Sequence, residues 1–490
     1  MTLTDVDLLS MQEVRILLHK ATKAQKIYRD FSQEQIDKVC QAIADAGVAN
    51  SKKLAKMAQE ETGFGNWQDK TLKNIFASKT VNERYKNLKT VGIIDENVEN
   101  KTVDMAVPVG VVAGLIPSTN PTSSVFYKSI IALKAGNAIV FSPHPNAKKC
   151  ILEAIKIANE AAIKAGAPEG LISGMTILSL EGTDELMGNK ETKMIIATGG
   201  GAMVHAAYSS GTPAIGVGPG NGSAYIERSA DPALAVKRIM DSETFDNGTI
   251  CASEQSIIVE RSNKDAVHEE LVKQGAYFLD NDEKDKLSKF LLRSDNTMNP
   301  QIVGKSADRL AKMADIKIPT GTKVLIAPDY SNNIGQNNPY SREKLTPILA
   351  YYEVEDCKEA ASVTQKLLMN EGAGHTAILH SENQEVIREY SSLVPASRVI
   401  VNSPGALGGI GATTCLNPAL TLGCGAIGGS SLSDNVGPMN LLNIKHIAVG
   451  KCELEDVRKQ SGMNNVSEGL EDNRQQLIDE LVKQVLEKIQ

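Results

Sequence analysis

Apolar residues recur at three- and four-residue spacing in the leading part of the chain. Over residues 33 to 46, Ile36, Val39 and Ile43 share one face, and the same rhythm predicts helices with polar faces across residues 8 to 90. From Val103 the pattern changes to short apolar runs punctuated by Gly and Pro. These runs, at 107–116, 138–141, 175–178, 194–197 and 214–217, predict strands, with helical stretches at 147–165 and 183–187 between them. Short apolar strands alternating with helices predict an α/β fold, a parallel sheet wrapped by helices of the nucleotide-binding type. A second series at 256–259, 323–326, 377–380 and 398–402 predicts a second Rossmann-like α/β domain. Residues 403 to 438, dense in Gly, Ser, Thr and Pro, read as loops around a site. Residues 459 to 469 are polar and glycine-bearing and predict a linker. Beyond it, Leu477, Ile478, Leu481, Val482, Val485, Leu486 and Ile489 fall on one stripe, which predicts an appended C-terminal amphipathic helix over 473–490.

Composition narrows the function classes. The chain has 490 residues, 42% hydrophobic and 23% charged, which fits a soluble globular protein with room for two or three domains. Its 52 basic and 59 acidic residues give a net charge of -7, and both signs are spread along the chain. Neither nucleic acid nor an anionic membrane is therefore expected as a partner. Seven widely separated cysteines without a C-x-x-C indicate neither a disulfide framework nor a zinc site, and no histidine spacing suits a metal. The first residues lack a basic region followed by an apolar one, and no run reaches the roughly 18 apolar residues of a membrane span. A cytoplasmic protein is expected.

One cysteine stands in a distinctive setting. Cys251 lies in F-D-N-G-T-I-C-A-S-E-Q from Phe245, read as a turn opening into a helix. A thiol at a helix start faces unpaired N–H groups and the positive end of the dipole, which lowers its pKa from about 8.5 towards neutrality. A thiol attacking a carbonyl needs donors for the oxyanion, and Asn120, directly after a predicted strand, is the candidate, although an Asn in P-S-T-N-P also reads as a turn former. Thr198, Gly199 and Gly201 form a strand-to-helix turn suited to a pyrophosphate or, equally, a tight structural turn. The cluster 216–221, including Gly218, has room for a flat ligand and carries no acid. His375 is a loop histidine, a possible neighbour of the site, and Cys424, between Gly423 and Gly425, reads as a close-packed turn.

The order of Asn120, the glycine turn at 199–201, the cluster at 216–222, Cys251 and Glu343 in E-K-L-T-P-I-L resembles the aldehyde dehydrogenase superfamily. Y-S-S-G-T-P-A-I-G-V-G-P-G-N from Tyr208, the Cys251 motif, E-G-A-G-H-T-A from Glu371 and G-A-L-G-G-I-G-A-T-T from Gly405 resemble its CoA-acylating branch, especially acetaldehyde dehydrogenases of the ethanolamine-utilisation type. The resemblance covers residues 8 to 455. It implies an NAD-binding domain over 1–240, a catalytic thiol domain over 241–455, and an oligomerisation arm near 101–107 that pairs subunits into a homo-oligomer. It also implies Cys251 as nucleophile, Asn120 with the Cys251 N–H as oxyanion hole, Thr198, Gly199, Gly201 and Gly218 near NAD, and Glu343 on the nicotinamide ribose. Hydrolytic members usually carry Lys where this chain has Ser142, so His144 would take over part of the adenosine-ribose contact.

Hydrolytic members also place a glutamate in the segment matching 216–221, and this chain has none. A thioester on Cys251 would then await a thiol, so the expected reaction is aldehyde, NAD and CoA to acyl-CoA and NADH, reversibly. Acetaldehyde is the leading substrate; propanal, a semialdehyde or a sulfonated aldehyde is the alternative. A scaffold acting through its terminal helix is the rival of another class. Helices of this kind resemble encapsulation peptides, which implies bacterial microcompartment shell proteins as partners of residues 473–490.

Overall fold

The computed structural model describes residues 4–461 and 466–489. The leading helices form for the predicted reason. Gln33–Ala49 is capped by Ser32, with Gln35 returning the hydrogen bond, and buries Ile36, Val39 and Ile43. Helix Trp67–Ile75 is different: its buried residues are Lys70, Lys73 and Asn74, a polar face that ordinarily stays in water. It continues into a π-helical turn, Phe76–Thr80.

Fifteen strands are present among the described residues, in three sheets. β1 (Gly92–Asn97) and β2 (Thr102–Pro108) lie side by side. β3 (Val111–Leu115), β4 (Ala138–Ser142), β5 (Ile172–Gly174), β6 (Thr192–Thr198) and β7 (Ala214–Val217) make a parallel sheet in the order β5-β4-β3-β6-β7. β8 (Gly222–Ile226), β9 (Glu254–Glu260), β10 (Ala276–Phe278), β11 (Val324–Pro328), β12 (Ile348–Val354), β13 (Gly374–His380) and β14 (Ala396–Val401) make a second parallel sheet, in the order β10-β11-β12-β9-β8-β13-β14. β15 (Leu442–Ala448) returns beside β2. The chain changes from one large sheet to the other between Val217 and Gly222, ahead of residue 240.

The chain divides into two compact units. The first, Met1–Gly92 with Ala106–Asn443, holds both large sheets. In the second, Ile93–Met105 with Ile444–Gln490, His446 Nδ1 lies 2.7 Å from Asp104 Oδ1, and helices Leu454–Gln460 and Val466–Ile489 follow.

Several expected boundaries move. The run 107–116 is two strands in two sheets, because Gly110, at φ +128°, breaks the extended path between Pro108 and Val111. The strand expected at 175–178 lies at Ile172–Gly174, where it pairs with β4. β8 opens on Gly222 and Ser223, which carry no strand signal, because packing decides: a Cβ at Gly222 would stand 2.9 Å from the Ile378 side chain of β13. β10 and β12 are further strands beyond the predicted set. The terminal helix begins at Val466 rather than near 473, since Glu468, Leu470 and Glu471 are good helix formers. Residues 462–465 of the expected linker lie outside the described residues, as do Gln490 and the side chain of Ile489. The rest of the stripe is exposed, with Leu477 and Leu486 both at 61%.

Candidate active site

The loops that follow strands of the five-stranded sheet meet segments that precede strands of the seven-stranded sheet. In the order β5-β4-β3-β6-β7 the connections part between β3 and β6, the position where open α/β sheets leave a crevice at their carboxyl ends. Asn120 follows β3 and Gly199–Gly201 follow β6, so both lie at the carboxyl ends of the two strands where the connections part. From the other sheet come Cys251 ahead of β9, Gly220 ahead of β8, Glu343 ahead of β12, and His375 at the start of β13.

Cys251 is half-buried, and the helix expected after it is absent: β9 begins at Glu254. The reason lies in the polar residues that mimic a helix start. Glu254 Oε1 accepts from the Gly405 N–H at 2.8 Å, and Gln255 Oε1 accepts from the Lys344 N–H at 2.7 Å, so both are internal partners of a strand buried on both faces. No helix dipole then assists the thiol. Burial pushes it up to about 12, the Glu343 carboxyl adds to the rise, and the Arg398 guanidinium offsets part of it. Neutral thiol is the resting form.

The turn before Cys251 is built on Asp246. Asp246 and Asn247 adopt left-handed backbone, at φ +49° and +54°, a conformation that needs outside support in residues other than glycine. Asp246 Oδ2 accepts from Lys73 Nζ at 2.6 Å, Lys70 Nζ at 2.9 Å and Thr249 Oγ1 at 2.7 Å, while Oδ1 accepts from the Asn66 N–H at 2.9 Å. Lys73 Nζ also donates to Asn120 Oδ1 at 2.7 Å and Thr249 Oγ1 at 2.9 Å. Burial lowers Lys73 to about 8 despite the attraction of Asp246. Asn120 is the residue ahead of helix Pro121–Lys134, yet among the described residues its side chain makes no cap. Its Nδ2 instead faces Thr119 Oγ1 at 3.2 Å and the Thr249 carbonyl at 3.5 Å.

Glu343 is half-buried, and its carboxyl is raised to about 8, chiefly by desolvation. Its Oε1 accepts from the Gly220 N–H at 2.7 Å, and a Cβ at Gly220 would stand 1.9 Å from the Cys251 carbonyl oxygen. The segment 216–221 itself lacks an acid, but a carboxyl group reaches it from the residues ahead of β12. His375, fully buried and lowered to about 3 by desolvation, is neutral. Its Nδ1 pairs with Thr376 Oγ1 at 2.9 Å, and its Nε2 has no partner among the described residues.

The remaining sequence candidates make local contacts of their own. Ser142 Oγ pairs with Thr183 Oγ1 at 3.1 Å, and His144 Nδ1 accepts from the Asn146 N–H at 3.1 Å. Thr198 Oγ1 meets Thr421 Oγ1 at 3.1 Å. Side chains added at Gly201 and Gly218 would meet nothing within 4 Å among the described residues, and at Gly199 only the Met203 side chain at 3.9 Å. Sequence reasoning missed Lys70, Lys73, Asp246 and Arg398. The one available signal was the spacing of Lys70, Lys73 and Asn74, which puts polar residues on a single helical face. Among the described residues no group of three or more His, Cys, Asp or Glu is placed to hold a metal ion.

A model of the aldehyde dehydrogenase family matches residues 1–410. The chain belongs to that family. It is similar to the bifunctional aldehyde-alcohol dehydrogenase AdhE of Escherichia coli, 42% identical over 444 residues that make up 90% of this chain and 50% of that protein. The chain spans about half the length of such bifunctional relatives. Among solved structures it resembles an acetylating aldehyde dehydrogenase from Geobacillus thermoglucosidasius, at 51% identity and TM-score 0.90, covering 92% of this chain and 99% of that one. It also resembles a propionaldehyde dehydrogenase from the Clostridium phytofermentans fucose utilisation bacterial microcompartment, at 26% identity and TM-score 0.81, covering 90% and 98%.

The electrostatics of this aldehyde dehydrogenase site yield a pH-dependent expectation. Above about pH 8 the Glu343 carboxyl is charged and opposes ionisation of Cys251; below it the carboxyl is protonated and does not. Glu343→Gln should therefore speed iodoacetamide alkylation of Cys251 about three- to tenfold at pH 9, since one pKa unit changes the thiolate fraction tenfold, and leave it unchanged at pH 6.5. Equal rates for both proteins at pH 9 would separate Glu343 from the thiol.

Proposed function

We propose that the chain is a CoA-acylating aldehyde dehydrogenase acting on a short aliphatic aldehyde, with acetaldehyde first in preference. The observation that carries this reading is the convergence of Cys251, the Asn120 amide and a loop at 218–221 without an acid of its own. Cys251 adds to the aldehyde carbon as its proton leaves, and the amide of Asn120 with the Cys251 N–H receives the developing oxyanion. A bound NAD would supply the hydride acceptor for this step; loss of hydride and of the hydroxyl proton from the thiohemiacetal leaves a thioester on Cys251. The thiol of CoA then attacks that thioester, and Cys251 departs as thiolate. His375, neutral and with an Nε2 that has no partner among the described residues, stands beside Gly220 and is read as a neighbour of the site.

The crevice suits a dinucleotide. Gly200 precedes helix Gly201–Ser209 and provides no side-chain cap, so the first N–H groups remain available to a pyrophosphate, with Thr198, Gly199 and Gly201 around it. Ser142, His144 and Gly218 line the same ligand, and Glu343 would leave Gly220 to hold the nicotinamide ribose. Water is a poor second substrate because Glu343 is already engaged and mostly protonated at neutral pH, and loss of a general base costs about 10² to 10⁴-fold. Without CoA, acetaldehyde and NAD should yield at most one NADH per chain and then stall, and CoA should restore turnover. Cys251→Ala should yield none in either case. Sustained NADH formation without CoA would overturn the reading.

We read β2, over the expected arm at 101–107, as pairing between copies of the chain into a dimer or a dimer of dimers. Light scattering at micromolar concentration should report an oligomer, and a monomer would contradict it. The exposed stripe of the terminal helix supports the further reading that residues 473–490 recruit the enzyme, from the cytoplasm, into a protein shell. The microcompartment origin of the Clostridium relative agrees with it. A fluorescent protein carrying residues 473–490 should become punctate in cells making the cognate shell; diffuse fluorescence there would refute the targeting role.

A further inference from the structure

We propose that Lys73 is the positioning residue of the oxyanion hole, locking the Asn120 amide so that its N–H face points to the substrate oxygen. The inference rests on the reading of Asn120 as oxyanion donor and deepens it. An ammonium has three protons and no lone pair. At Lys73 all three are spent on oxygen: Asp246 Oδ2 at 2.6 Å, Asn120 Oδ1 at 2.7 Å and Thr249 Oγ1 at 2.9 Å. Only the oxygen end of a carboxamide can face such a group, because a flipped Asn120 would set two donors against each other. The lysine therefore fixes which way the amide points.

The fixing is needed because few other contacts hold the amide. Asn120 makes no cap on its own helix among the described residues, and its Nδ2 has only the 3.2 and 3.5 Å contacts to Thr119 Oγ1 and the Thr249 carbonyl. Lys70 completes the arrangement from one turn earlier, donating to the Thr119 carbonyl at 3.1 Å and to Asp246. Hence the backbone at Thr119, the amide at Asn120 and the turn leading to Cys251 are referred to one carboxylate. A cation on Oδ1 also polarises the amide and strengthens its N–H as a donor. Burying an ammonium at 2% exposure is costly, and a merely structural helix would fill the position with an apolar residue.

The test is a double-mutant cycle on the full chain, with acetaldehyde, NAD and CoA as substrates. Lys73→Met should lower kcat about 10- to 100-fold, at or below the loss of about 10² to 10³-fold for removing one oxyanion donor, while KM for the aldehyde moves less than about threefold. In an Asn120→Ala background the same substitution should cost less than about twofold, since the group it positions is gone. Alkylation of Cys251 by iodoacetamide, which develops no oxyanion, should be unchanged. Asp246 keeps Lys70, Thr249 and the Asn66 N–H as donors in Lys73→Met; should that variant still fail to fold, Lys73→Gln, neutral but able to donate to Asp246, carries the same comparison. Full kcat in Lys73→Met, equal losses in both backgrounds, or alkylation falling in step with kcat would each overturn the proposal. If Asn120→Ala itself keeps full kcat, the oxyanion reading falls and takes the proposal with it; if only Lys73→Met does, the proposal falls alone.

Discussion

The Asp246 carboxylate holds the site together. Four donors converge on it, from Lys70, Lys73, Thr249 and the Asn66 N–H, and it is fully buried. Removing one partner of such a buried pair costs about 3–5 kcal/mol, because the remaining charge is stranded. Here that rigidity is applied to the candidate site. Asp246 sustains the left-handed turn that sets out Cys251, and through Lys73 it reaches the amide that follows β3. Two sheets with separate hydrogen-bond ladders thus contribute to one site whose parts share an anchor.

A site so tightly built keeps its thiol protonated. Burial and the Glu343 carboxyl raise the Cys251 thiol, and Arg398, itself held by the His375 and Ser433 carbonyls at 2.9 and 3.0 Å, recovers only part of the loss. Thiolate is the form that both attacks carbonyls and suffers oxidation, so a resting thiol is the chemically safer state. Attack then needs the proton to leave as substrate binds. This differs from a helix-activated cysteine, for which the thiolate stands ready before any ligand arrives.

Much of the fold was legible from periodicity. The alternation of short apolar runs and helices gave both parallel sheets, because strands buried on both faces read as unbroken apolar segments. Motif order singled out Cys251, Asn120 and Glu343, and the fold brings Asn120 to the lysine that holds the Cys251 turn and Glu343 to the Gly220 N–H beside Cys251. What failed did so where tertiary contacts override local signals. Glu254 and Gln255 read as a helix start but serve as internal hydrogen-bond partners of β9. Lys70 and Lys73 read as solvated helix residues because their acceptors lie 49 and 173 positions away in the chain, beyond any local pattern. The approach of Glu343 to Gly220 spans 123 positions and was hidden for the same reason.

The most direct measurement is peptide mass spectrometry on the full chain after incubation with acetaldehyde and NAD in the absence of CoA, followed by acid quench and digestion. The Cys251 peptide should carry one acetyl group, labile to hydroxylamine, at close to one per chain, and adding CoA before the quench should remove it with matching formation of acetyl-CoA. An unmodified Cys251 peptide, or acetylation at Cys424 instead, would contradict a thioester on Cys251.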